Sequence, residues 1–178
     1  MATIPSNRPV LTAPVADQSA LDLGLLVIRL VVGVTMAAHG TQKLFGWFDG
    51  GGISGTGGFF ESSGYPQGET MAWIAGLSET LGGIGLIAGL FTPLAAAAIL
   101  GVMINAIAVK GTGEFFAPKG IEYDLVLACT AAGLALTGPG RVAFDHYLPG
   151  LRYHRLAYGI AAIALAAVTA AVVLVIRG

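Results

Sequence analysis

The chain has 178 residues, 55% of them apolar and only 11% charged, with 27 glycines and a formal net charge of −1. A soluble domain carries roughly 25% charged residues, and with a mean hydropathy of +0.78 this chain has too few polar side chains to cover a water-facing surface. The balance also excludes nucleic-acid binding, which needs a clustered basic surface, and the single cysteine, Cys129, excludes an internal disulfide or a self-contained dithiol relay.

Residues 1–21 hold three prolines among scattered apolar residues, and are expected to form a flexible tail. They do not resemble a cleaved leader, because Arg8 stands far from the hydrophobic run and Asp17 and Asp22 lie before it. The first span is predicted over Leu23–Trp47 with Asp22 as N-cap. The following loop, 48–70, is glycine-rich, and reads either as a lid docked on the membrane interface by Phe59, Phe60 and Tyr65, or as an unstructured linker.

A second span over Met71–Phe91 stops at Thr92-Pro93, which also starts the third, Leu94–Val109, so the two form a tight hairpin. The fourth covers Ile121–Thr137 and is closed by Gly138-Pro139-Gly140. Spans three and four reach only about 24 to 26 Å against a hydrocarbon core near 30 Å. The fifth, Leu156–Ile176, has Thr169 as its one polar group in the core and reads as a lipid-facing anchor. The fold class is therefore an all-α polytopic membrane protein, a four-helix transmembrane bundle with a fifth, C-terminal transmembrane helix. The organisation is a tail (1–21), a four-helix membrane domain (22–145) and a loop with an additional helix (146–178).

The loop 138–155 carries Arg141, Arg152 and Arg155, whereas 48–70 carries Asp49, Glu61 and Glu69 and no lysine or arginine. Positive charge favours the cytoplasmic side. This predicts a cytoplasmic N-terminus and an outer 48–70 loop, with Lys43, Lys110 and Lys119 weakening the bias. Gly85 and Gly89 stand at helix-packing spacing, for contacts within the chain or, less readily, for a homo-oligomer.

Ionisable groups inside spans cost about 2.5 to 3.5 kcal/mol each near the bilayer centre, so their presence asks for a reason. Arg29 and His39 lie in span one, Glu79 in span two, Asn105 in span three, with Glu122 and Asp124 at the mouth of span four and Gln42 and Lys43 ending span one. At 1.5 Å per residue, Arg29 falls about 9 Å and His39 about 24 Å from the inner boundary, with Glu79 between them at about 18 Å. Thr35, His39, Gln42 and Lys43 share one helical face. The readings are a buried ion pair that fixes helix pairing or a polar site containing a histidine that changes charge near neutral pH. Cys129 reads as a small packing residue, and no metal-ligand spacing is present.

Three stretches, RLVVGVTMAAHGTQKLFGWF (29–48), SETLGGIGLIAGLFTPLAA (78–96) and IEYDLVLACTAAGLALTGPGRVAFD (121–145), resemble the DoxX family of small four-helix membrane proteins. The resemblance implies a four-helix bundle in the cytoplasmic membrane, with Arg29, His39, Gln42, Lys43, Glu79 and Asn105 at matching positions. The family is similar to the DoxD subunit of thiosulfate:quinone oxidoreductase, which implies electron transfer from a sulfur or thiol compound to membrane quinone. The fifth span departs from that pattern.

The expected function is a quinone-interacting subunit of a membrane oxidoreductase, acting on menaquinone or ubiquinone with a redox protein partner. His39 and Glu79 take the catalytic roles, Arg29, Gln42, Lys43 and Asn105 hold the cofactor, and Glu122 and Asp124 form a proton path. No metal is expected. The alternatives are a non-catalytic membrane scaffold that gathers soluble redox enzymes and a small proton-coupled transporter.

Overall fold

The computed structural model describes residues 17–177, so the expected tail falls outside it over residues 1–16. The protein is all-α: α1 (Gln18–Phe45), α2 (Gly52–Ser62), α3 (Gly68–Ala88), α4 (Thr92–Lys110), α5 (Glu122–Thr137) and α6 (Leu156–Arg177), with a short 3-10 turn at Phe144–Tyr147. Helices α1, α3, α4 and α6 are each long and apolar enough to cross a membrane. The chain is a multi-pass membrane protein. Helix α5, at 16 residues, reaches about 24 Å and completes the bundle.

Lipid-facing side chains explain the composition. Val31, Leu81, Val126 and Val168 are more than 60% exposed, as expected of helices solvated by acyl chains rather than water. Exposed aromatics gather at both ends: Phe45, Trp47, Phe48 and Phe116 at the α2 end, Phe144, Tyr147 and Tyr153 at the other. Aromatic rings favour these two interfaces.

Without a hydrophobic drive between helices, small residues set how closely they approach. Helices α1 and α3 press backbone to backbone, since a Cβ at Gly33 or Gly83 would run into the main chain of the facing helix, and one at Gly40 into Thr80 and the Gly76 carbonyl. Helix α4 holds the centre, packed on α3, α5 and α6 through Ala96, Ile99 and Leu100. Helix α6 lies at the edge, as expected of an anchor, but it also joins the core through Ala162 and Ala166. Gly85 and Gly89 are taken up within the chain: Gly85 stands against Ala95, and Gly89 is the left-handed cap of α3, crowded by Arg29 and Ala143.

Two expectations change. Helix α1 begins at Gln18, not Leu23, because Asp17 caps it by accepting the Ser19 N–H at 2.9 Å. Asp22 is instead buried one turn in, where it accepts from the Arg141 main chain at 2.9 Å and side chain at 2.5 Å. The loop 48–70 is not an unstructured linker, because it holds α2. Glycine disfavours helix intrinsically, but Gly57 is buried against Gly68 and Glu69 at the start of α3, where a larger residue would not fit, and packing decides.

The α3–α4 hairpin forms as predicted, with Pro93 in the first turn of α4. Its turn depends on a distant residue. Asp145 is 2% exposed, and its carboxylate accepts from the N–H of Phe91 at 2.7 Å and of Thr92 at 2.9 Å, while its own N–H donates to the Gly89 carbonyl at 2.9 Å.

Candidate functional site

A cavity of about 560 Å³ runs into the bundle from its α2 end, walled by α1, α3, α4, α5 and α6 and roofed by Phe59, Phe60 and Tyr65. Its size suits a small organic ligand. The roof is fixed from two sides: Tyr65, 3% exposed, stacks edge-on against Phe60 with centroids 5.4 Å apart and donates through its hydroxyl to Asn105 Oδ1 at 3.1 Å. Arg177, from the last turn of α6, stands over the Tyr65 ring and donates to the Ser63 carbonyl at 2.8 Å. Burial pushes the Tyr65 phenol above its ordinary pKa range, and the Arg177 guanidinium partly offsets the shift.

Two ion pairs and one hydrogen bond form the polar end of the cavity. Lys43 Nζ lies 2.7 Å from Glu79 Oε2, and Lys110 Nζ lies 2.6 Å from Asp124 Oδ2. Both carboxylates are buried. His39 Nε2 and the Tyr123 hydroxyl stand 3.2 Å apart. Asn105 donates to the Gly101 carbonyl at 3.0 Å, so its amide is fixed from both sides.

Of the residues singled out from sequence, His39, Lys43, Glu79, Asn105 and Asp124 line this cavity. The others lie elsewhere. Gln42 donates to the Phe48 carbonyl at 3.2 Å and lines a separate, shallow hollow beside Gly50 and Thr56. Glu122 accepts from the Ala117 N–H at 2.9 Å and holds the loop before α5. Arg29, 1% exposed, donates to the carbonyls of Pro139 at 2.6 Å and Val142 at 3.0 Å, at the opposite end of the bundle.

The expected meeting of Arg29 with Glu79 is therefore not formed, for two reasons, whereas His39 and Glu79 share the cavity, with Glu79 paired to Lys43 and His39 bonded to Tyr123. The Gly40–Thr80 contact sets Glu79 level with the His39 turn, about 16 Å along α1 from Arg29. Side chains on a helix also lean toward its N-terminus. That tilt carries Lys43 inward to Glu79 and carries Arg29 outward to the 138–142 loop.

Sequence reasoning passed over Tyr123 and Lys110. Lys110 enters the sequence reading only as a charge that weakens the topology bias, although it stands five residues from Asn105 on the same span. Tyr123 stood beside Asp124 at the mouth of the span, the one signal that could have found it. Among the described residues no three His, Cys, Asp or Glu side chains group closely enough to hold a metal ion.

The arrangement offers hydrogen-bonding partners in His39, Tyr123 and Asn105 and two internally balanced ion pairs within an apolar chamber. In such surroundings charge–charge and hydrogen-bond interactions act at low dielectric and are strong. The family model described as DoxX matches residues 24–116. The chain is 31% identical over 130 residues to a Bacillus subtilis (strain 168) protein named "Putative oxidoreductase CatD", an alignment that spans 72% of this chain and 90% of that protein. No solved structure matches the chain.

Proposed function

This chain belongs to the DoxX family of membrane proteins, and on that footing we propose that it is the quinone-binding membrane subunit of an oxidoreductase. The observation that carries the reading is the polar end of the cavity, where His39, Tyr123, Lys43–Glu79 and Lys110–Asp124 gather beneath a roof and within reach of the bilayer. The name of the Bacillus subtilis relative supports an oxidoreductase role.

The chemistry fits the residues present. A bound quinone supplies an acceptor of two electrons and two protons, and its carbonyl oxygens call for hydrogen-bond donors and a proton source. His39 and Tyr123 share one hydrogen bond, so either can turn toward a ligand oxygen while the other keeps it oriented. The Lys43–Glu79 and Lys110–Asp124 pairs hold protons at the chamber wall and are charge-neutral, which limits the desolvation cost of placing them there. Tyr65, Phe59 and Phe60 exclude water from above. Electrons arrive from a redox protein partner or directly from a reduced sulfur or thiol compound. In this reading the protein sits in the cytoplasmic membrane with the 138–155 loop inside and α2 outside.

The test is binding by the purified full-length chain in lipid nanodiscs. Menaquinone and ubiquinone analogues are expected to bind saturably, and binding is expected to weaken about tenfold or more in His39→Ala and Glu79→Gln, the scale of one lost hydrogen bond to a charged or buried group. Equal binding by wild type and both variants overturns the reading.

A further inference from the structure

The cavity does not end at its polar groups. It follows α4 from Lys110 to Leu94, a length of about 24 Å at 1.5 Å per residue. The ionisable side chains all belong to the α2 end. Beyond Glu79 the lining is Leu94, Ala97, Ala98, Leu165 and Ala166, and the hydroxyl of Thr169 is spent on its own helix, donating to the carbonyls of Leu165 at 2.9 Å and Ala166 at 3.1 Å.

This apolar stretch opens sideways. Helices α3 and α6 both pack against α4 but form no packed pair with each other, and the floor between them is made of Ala97, Ala98 and Gly101. Ile74, Leu94 and Leu165 stand along the opening, each about half exposed at 48%, 55% and 47%. In a bilayer that face meets acyl chains.

We propose that the site takes a single-chain amphiphile drawn from the bilayer between α3 and α6, its neutral polar ring held under α2 and its long aliphatic tail laid along α4. The inference rests on the quinone reading above and adds to it where the tail of a membrane-resident quinone lies and from which side it enters. The head is neutral rather than phosphate-bearing, because each lysine lining the polar end is already matched by a carboxylate within 2.7 Å, and Arg177, outside the lining, is turned onto the Ser63 and Ala108 carbonyls. A single tail fits one groove.

Inside lipid, moving a tail from acyl chains to the groove changes little in hydrophobic burial, so tail position is a better readout than affinity. The probe is a benzoquinone carrying a long alkyl chain with a diazirine at its far end, photolysed on the full chain in nanodiscs and mapped by peptide mass spectrometry. Label is expected on Leu94, Ala98 and Leu165, and is expected to fall about tenfold with excess unmodified long-chain quinone, the change that marks saturable occupancy. Ala98→Phe, or Leu165→Trp if the first disturbs packing against α3, is expected to displace the label while tailless tetramethylbenzoquinone still binds as to wild type.

Label spread evenly over the outward faces of α1, α5 and α6, insensitive to competitor and to both variants, overturns the groove, as does equal competition by a phospholipid. If tetramethylbenzoquinone still binds saturably in that case, the quinone reading survives; if it does not bind, both fall.

Discussion

Lys43 reaches inward from the end of α1 to place its ammonium 2.7 Å from the Glu79 carboxylate of α3, a group only 2% exposed. The pair crosses the seam where Gly33, Gly40, Gly76 and Gly83 bring the two backbones together, so its geometry is set by helix spacing as much as by charge.

Removing the cation alone strands a buried carboxylate. Lys43→Met is expected to lower stability by about 2–3 kcal/mol, less than the 3–5 of a fully buried pair, because a quarter of the Lys43 side chain is exposed. The double variant Lys43→Met with Glu79→Leu is expected to recover most of that loss. Thermal unfolding of the detergent-solubilised chain measures both, and a double variant less stable than Lys43→Met would refute the account.

At the other end, Arg29 and Asp22 on α1 and Asp145 beyond α5 fold the 138–145 loop back onto the bundle. Arg29→Met deletes two charge-assisted hydrogen bonds to carbonyls, each worth about 1.5–3 kcal/mol. Amide exchange is expected to quicken at 139–146 and to stay unchanged at Tyr65 and Asn105. Faster exchange at the α2 end would mean that the two ends are coupled.

Asp145→Ala leaves the Phe91 and Thr92 N–H groups without their acceptor. Phe91 sits at φ 47°, in the left-handed region that costs a bulky residue about 1 kcal/mol or more, and the carboxylate is what holds it there. The variant is expected to lose about 2–4 kcal/mol. Adding Phe91→Gly is expected to restore part of it, read as a rise in melting temperature over the single variant.

Gly83→Leu inserts a side chain against the Gly33 carbonyl and the Ala37 main chain. Neither can move without shifting a whole helix, so loss of monodisperse protein on size-exclusion chromatography is expected. Gly58→Ala, where nothing stands near the added carbon, is expected to leave the elution profile unchanged.

Tyr65→Phe removes one neutral hydrogen bond to Asn105, worth about 0.5–1.5 kcal/mol, while keeping the ring under Arg177. The roof loosens, but a long-chain quinone that leaves sideways between α3 and α6 is expected to dissociate at the wild-type rate, with little change in melting temperature. A several-fold faster off-rate would place the exit through the roof instead.

Hydropathy and breakers alone determined that the chain crosses a membrane, where the five long apolar helices lie and that Thr92-Pro93 turns a hairpin, because a span must satisfy its backbone within itself and so carries its signature locally. The same one-dimensional reading picked out His39, Lys43, Glu79, Asn105 and Asp124 as polar residues in an apolar setting. It could not say who partners whom. The direction in which Arg29 and Lys43 lean, the register that brings Gly40 to Thr80, the burial that makes a helix of a glycine-rich loop and the gap left between α3 and α6 are relations between helices. Only packing in three dimensions decided them.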